Sequence, residues 1–162
     1  MANTYTQIYM HIIFAVGNRR SLISKTFEKN IYQYIAAACA NRKHFLYAIN
    51  GTADHIHLLL GMHPDESISN LVKSVKTQST RFINENFLHG TFCWQSGYAA
   101  FSYSKSMVPI VKKYIDNQKE HHKRISFHDE FIDILNKAKI EYNKEYIMKD
   151  VTLETDVDLS CT

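Results

Sequence analysis

The chain is poor in the residues that punctuate or staple a fold. Of 162 residues, three are cysteine, two proline, five glycine and one tryptophan. Cys39, Cys93 and Cys161 are odd in number, scattered and without a CxxC pair. That excludes a disulfide scaffold or a zinc knuckle, and the three read as small buried or incidental thiols. So little glycine and proline excludes a low-complexity chain. No apolar run is long enough to span a membrane, and no signal-peptide pattern opens the sequence, so a cytoplasmic protein with no membrane partner is expected. What is present is 45% hydrophobic and 22% charged, with ten tyrosines and nine phenylalanines. This is the composition of one globular domain able to bury a core.

Charge is unevenly spread. Residues 1–149 hold all 19 basic residues and 12 of the 16 acids, a net +7; residues 150–162 hold Asp150, Glu154, Asp156 and Asp158 and no base, a net −4. The reading is a domain over 1–149 followed by an acidic, loosely held tail over 150–162. A basic body suits a polyanionic partner, though many ordinary domains are equally basic.

Periodicity orders the chain. Tyr5–Val16 is rich in β-branched and aromatic residues and predicts a first strand. Phe27, Ile31, Tyr34, Ile35 and Ala38 keep a helical spacing within 26–41. His44–Asn50 predicts a second strand, and Gly51-Thr52 a turn into a third, making a hairpin. Ser67 caps a helix running to about Phe87. Trp94–Ser104 leads into a fourth strand. Ser106 is expected to cap a helix from Met107 to Lys123, and Ser126-Phe-His-Asp129 to open another, with Phe131, Ile134, Leu135 and Ala138 as its apolar stripe. The order β-α-β-β-α-β, then two helices, predicts an α+β, ferredoxin-like antiparallel sheet with helices on one face and an added C-terminal helix.

The third strand carries the chemistry. In Asp54-His-Ile-His-Leu-Leu-Leu60, residues i and i+2 share a face, so His55 and His57 project together, opposite Ile56, Leu58 and Leu60. Two imidazoles side by side can bind one metal ion, and they would lie on the face the first two helices leave free. Tyr114, Gln118 and His121 fall at i, i+4 and i+7 of the Met107–Lys123 helix, on one stripe. Laid over the free face, that stripe brings the Gln118 oxygen to the metal and Tyr114 beside it. Imidazole with oxygen ligation suits Mn²⁺, with Mg²⁺ admissible where substrate phosphate completes the shell. A phenol of pKa about 10 needs a polarised electrophile. The inferred reaction is attack of Tyr114 on a DNA phosphate, leaving a 5′-phosphotyrosine and a free 3′-hydroxyl. Spacing alone extends only to metal-assisted hydrolysis or phosphoryl transfer.

Other residues keep two readings. His121 and His122 read as a proton acceptor for Tyr114 or a DNA contact, or as a polar helix end. Arg19, Arg20, Lys73, Lys76 and Arg81 read as phosphate contacts or as a solvated face. Trp94 and Tyr98 read as base-stacking platforms or as packing. His11 is expected to be structural or superficial, and Asp54 to point away from the metal with at most a supporting role. His63, His89 and His128 read as loop or cap residues.

Three pieces carry a resemblance: the Asp54–Leu60 run, Trp94-Gln-Ser-Gly-Tyr98, and Lys113-Tyr-Ile-Asp-Asn-Gln-Lys-Glu-His-His122. On them the sequence, from about Tyr5 to Tyr146, resembles the small TnpA-type, single-tyrosine HUH transposases of insertion sequences, related to REP-associated tyrosine transposases. The resemblance implies that His55, His57 and Gln118 ligate Mg²⁺ or Mn²⁺ and that Tyr114 is the nucleophile. It implies a homodimer whose sheets join, acting on single-stranded DNA with hairpin ends. Relatives often carry proline before the Asp-His-x-His run, where this chain has Thr52-Ala53. Two alternatives remain at this point. One is a nucleic-acid-binding module on the same fold with a relic site; the other is a relaxase or replication initiator of HUH type.

Overall fold

Strand β1 (Tyr9–Ala15) is shorter than the sequence suggests, and it sits in the middle of the sheet. With β2 (Phe45–Gly51), β3 (His55–Gly61) and β4 (Ala99–Tyr103) it makes a four-stranded sheet in the order β2-β3-β1-β4, every neighbouring pair antiparallel. The computed structural model describes residues 3–145 and 147; the tail assigned to 150–162 lies outside them. β2 and β3 form the expected hairpin. A Cβ at Gly51 would overlap the His55 carbonyl, so the turn into β3 needs a glycine. β1 and β3 are buried along nearly their whole length, which is why both read as continuous apolar runs.

One face is the main core. Ile12, Phe14, Ile56, Leu58 and Leu60 pack with Ile31 and Ile35 of α1 (Glu28–Asn41) and with Leu71, Val72 and Val75 of α2 (Ile68–Ile83). Each such side chain contributes about 1.5–3 kcal/mol by leaving water. Ser67 caps α2 as expected, its Oγ accepting from the Asn70 N–H at 3.1 Å. Trp94 belongs to this core: its indole N–H donates to Ser79 Oγ at 2.8 Å and its ring meets Phe14 edge-on at 4.8 Å. It is therefore packing, not a stacking platform. Cys39 is a buried free thiol, whereas Cys93 is disulfide-bonded, unlike the incidental thiol expected.

The opposite face carries His11, Ile13 and Ala15 of β1 beside Leu59, His57 and His55 of β3. It is roofed by three helices, α3 (Val108–Asp116), α4 (Gln118–His121) and α5 (Phe127–Lys137). Val108, Val111 and Ile115 pack on Leu59 and Ala48, while Phe127, Phe131 and Leu135 pack on Ile13, Ala15 and Phe101. The class is α+β with the βαββαβ order. Among the described residues no helix is long and apolar enough to cross a membrane.

The roof departs from the sequence reading in two ways. Ser106 does not cap α3; its Oγ meets Ser104 Oγ at 3.0 Å. And the single helix expected over 107–123 stops at Asp116, passes through Asn117 at φ −94°, ψ 11°, and resumes as the one turn of α4. The cause lies in β2. Asn50 Nδ2 donates to the carbonyls of Ile115 at 3.0 Å and Asp116 at 3.1 Å, occupying acceptors that the last turn leaves open. Lys119 Nζ then donates to Asn50 Oδ1 at 2.7 Å and Gly51 O at 3.3 Å, tying the next turn to the same strand. Ser126 caps α5, accepting from the Asp129 N–H at 3.1 Å; Ala138 ends exposed, just past that helix.

Candidate active site

His55 and His57 are fully buried, with ring centroids 5.1 Å apart. Each is held through its Nδ1. His55 Nδ1–H donates to Asp54 Oδ1 at 2.7 Å, and that carboxylate also takes the Thr52 hydroxyl at 2.8 Å and an ion pair from Arg19 at 3.0 Å. This fixes the tautomer and leaves the His55 Nε2 lone pair facing the roof. His57 Nδ1 lies 2.8 Å from His11 Nε2, the two rings stacked at 5.1 Å. Burial pushes His11 down to about 3 and His57 down to about 4, the latter opposed by a Glu130 hydrogen bond. Both rings are neutral near pH 7.

The roof delivers a phenol, an amide and a carboxylate. Tyr114, on α3, donates its hydroxyl to Glu130 Oε2. Gln118, the first residue of α4 and wholly buried, donates from Nε2 to the same oxygen at 3.0 Å. Its Oε1 lies 2.9 Å from His122 Nε2 and 3.3 Å from His55 Nε2. Glu130, on the first turn of α5 and 2% exposed, aims Oε1 at His57 Nε2 (3.1 Å), His122 Nε2 (3.2 Å) and His55 Nε2 (3.7 Å). Burial alone would raise its pKa, but hydrogen bonds from His122 and His57 outweigh that and hold it far below the usual carboxylate range. The α5 N-terminus favours the same ionised form. Burial, then the facing Glu130 charge, pushes the Tyr114 phenol well above its ordinary value.

One ligand atom from each of His55, His57, His122 and Glu130 falls within 4.8 Å of all the others. Around an ion bonded at about 2.1 Å, neighbouring donors sit about 3.0–3.4 Å apart, so this set fits a divalent ion. The fit holds in donor chemistry too: imidazole nitrogens, an amide oxygen and an ionised carboxylate, with His55, His57, Gln118 and Glu130 buried.

The residues singled out in the sequence thus divide. His55, His57, Tyr114 and Gln118 converge, with His122 beside them. His121 is at the rim, its Nε2 3.1 Å from Glu130 Oε2 and a third of its side chain exposed. Asp54 takes the supporting role expected. Arg19 does not lie on the surface: it is 6% exposed, paired to Asp54 and stacked over Phe127. Lys76 is half-buried and donates to the carbonyls of Gln95, at 2.8 Å, and Gly97; burial lowers it to about 8. Arg20, Lys73 and Arg81 are exposed. Sequence reasoning missed Glu130; His11, expected to be structural or superficial, is buried and braces His57. The signal for Glu130 was available: it stands between Phe127 and Phe131 on the apolar stripe of α5, where a charge needs a reason.

Residues 4–118 match the family model described as Transposase IS200 like. The ISDra2 transposase TnpA of Deinococcus radiodurans is 24% identical over 118 residues, 69% of this chain and 84% of that protein. Among solved structures, one described as a transposase of Deinococcus radiodurans R1 matches with TM-score 0.60 at 23% identity, covering 73% of this chain and 95% of that one. A REP-associated tyrosine transposase bound to a REP hairpin matches with TM-score 0.58 at 17% identity, over 99% of this chain and 94% of that one. At these identities the two structures speak to the fold, which they share.

Proposed function

The chain belongs to the IS200-like transposase family, and on that premise we propose that it cuts and rejoins single-stranded DNA at insertion-sequence ends through a covalent Tyr114–DNA intermediate, with Mg²⁺ or Mn²⁺ held by His55, His57 and Gln118. The observation that carries this reading is convergence: a phenol on α3, an amide on α4 and two imidazoles on β3 meet at one buried carboxylate.

Tyr114 is held as a neutral phenol by burial and by Glu130, so attack waits for a phosphate to be seated. As the phenol oxygen bonds to phosphorus, its proton passes to Glu130 Oε2, the acceptor it already faces. His121, 3.1 Å from that oxygen and partly exposed, offers the way out to solvent. The bond from phosphorus to the 3′-oxygen breaks, and the leaving oxygen keeps the electron pair and takes a proton from water. The DNA 5′-phosphate remains on Tyr114. An ion held by His55, His57 and Gln118 would supply Lewis-acid polarisation of the phosphate and offset charge on its oxygens. Because one phosphate ester replaces another, a different 3′-hydroxyl reverses the step with no nucleotide cofactor.

For substrate, a REP hairpin bound by a fold neighbour supports single-stranded DNA with hairpin ends. Arg20, Lys73 and Arg81 are the exposed cations proposed to meet its phosphates. A homodimer belongs to the same proposal: among the described residues β2 and β4 end the sheet with edges that a second sheet would extend.

The test is a labelled single-stranded hairpin substrate with Mn²⁺ or Mg²⁺. The expected product is a denaturation-resistant protein–DNA adduct. Tyr114→Phe should abolish it while keeping DNA binding, and His57→Ala should lose metal-dependent cleavage while staying folded. An adduct formed by Tyr114→Phe removes the nucleophile from this proposal.

A further inference from the structure

The metal part of the proposed function draws on two strand histidines and one amide, yet two more donors face the same point. We propose that Glu130 and His122 are themselves ligands, giving a site of three imidazoles, one carboxylate and the Gln118 amide oxygen that selects Mn²⁺ over Mg²⁺.

The geometry of Glu130 divides its two oxygens. Oε1 faces three Nε2 atoms at 3.1, 3.2 and 3.7 Å, the first two at the spacing of neighbouring ligands around one ion and the third slightly wider. Oε2 faces away from them, toward the Tyr114 hydroxyl, Gln118 Nε2 and His121. One carboxylate therefore touches both the metal pocket and the nucleophile. Its ion-pair partners among the described residues are all histidines. A buried carboxylate wants a cation, and a divalent ion at Oε1 provides one.

His122 is prepared in the same way as His55. Its Nδ1–H donates to the Ile125 carbonyl at 2.9 Å, which turns Nε2, the nitrogen that would bind an ion once its proton is displaced, to Gln118 Oε1 and Glu130 Oε1. The turn between α4 and α5 positions both residues: Ser126 caps α5 and puts Glu130 on its first turn. Both lie beyond the stretch 4–118 that matches the family model. They are thus contributed by the segment that follows the tyrosine helix.

Five protein donors leave one position of about six for a substrate oxygen. Mg²⁺ prefers oxygen ligands and keeps several waters, so a site with three imidazoles suits it poorly and suits Mn²⁺ better.

The test is metal binding by the whole protein without DNA, measured by titration calorimetry and by Mn²⁺ electron paramagnetic resonance on protein labelled with ¹⁵N-histidine. Wild type should bind Mn²⁺ at least about tenfold more tightly than Mg²⁺. Glu130→Gln and His122→Asn should each weaken Mn²⁺ by at least about tenfold. Nitrogen coupling should correspond to three imidazoles in wild type and two in His122→Asn. Where Glu130→Gln fails to fold, Glu130→Asp makes the same comparison. Wild-type affinity in both variants, or two coupled imidazoles in wild type, overturns the inference. Adduct formation by wild type alongside either result leaves the proposed function standing, so the two failures are distinguishable.

Discussion

Asn50→Asp isolates the interruption at Asn117. The substitution keeps the shape of the side chain and an acceptor for Lys119 Nζ, but it has no donor for the carbonyls of Ile115 and Asp116. Two neutral hydrogen bonds are lost, each worth about 0.5–1.5 kcal/mol, and one of them is open to water, which replaces part of its value. The carboxylate now faces the negative end of α3, at a further cost of about 0.3–1 kcal/mol. A stronger contact to Lys119 offsets some of this. The expected net loss is about 1–2 kcal/mol, a fall of about 2–8 °C in melting temperature for a domain of this size. The effect on chemistry should be larger. Tyr114 lies one residue before the first released carbonyl, and a shift of about 1 Å in a reacting group costs about 100-fold. Single-turnover adduct formation should therefore drop about 10–100-fold while affinity for hairpin DNA stays within about threefold. A lowered melting temperature with an unchanged adduct rate would refute the reasoning, for it would show that the end of α3 holds its place without Asn50.

Four further outcomes are expected. His11→Phe should leave the protein folded, since His11 Nδ1 has no hydrogen-bond partner to lose, but should weaken Mn²⁺ about 10–100-fold in calorimetry because His57 Nδ1 loses its orienting contact. Glu66 accepts from Arg42, at 2.9 Å to Nε, and pairs with His44 at 2.7 Å; the Arg42 hydrogen bonds come first in holding it down to about 2. A carboxylate held down in the folded state stabilises above its unfolded pKa, near 4.5, and that stability is lost as pH falls toward 2. Because Arg42 is partly solvated, the contribution is set at about 1–2 kcal/mol, and Glu66→Gln should flatten the melting profile between those pH values relative to wild type. Arg20→Gln, Lys73→Gln and Arg81→Gln should each reduce the slope of log binding constant against log salt by about 0.7 on single-stranded DNA. Arg19→Gln should instead act on stability, read by thermal melting, because its guanidinium is spent on Asp54.

Much of this site was legible before any coordinates. The alternation through Asp54–Leu60 put both imidazoles on one face because a central strand leaves no other arrangement for Ile56 and Leu58, which need the helices. The i, i+4 spacing of Tyr114 and Gln118 survived the interruption between them, since a brief departure from helical geometry does not turn the next residue away. Ser67 and Ser126 announced their helices because capping is local. What escaped notice depended on partners far along the chain. The interruption after Asp116 is made by Asn50, 65 and 66 residues away from the carbonyls it binds. Arg19 looked solvated because its partner stands 35 residues on. Glu130 drew no reading from the sequence, although it stands within the row of residues turned to the sheet. The histidines that surround it come from β3 and α4, and nothing local to α5 announces them.

The strands beneath the site and the segment above it are secured very differently. β1 and β3 each have a paired neighbour on both sides and helices on both faces, so their amides should exchange with deuterated solvent only when the whole domain opens. α4 is a single turn between two interruptions, with no comparable protection. The imidazole pair therefore belongs to the slowest-exchanging part of the molecule, while the single turn that carries the Gln118 amide is expected to open at lower cost, leaving the pair undisturbed.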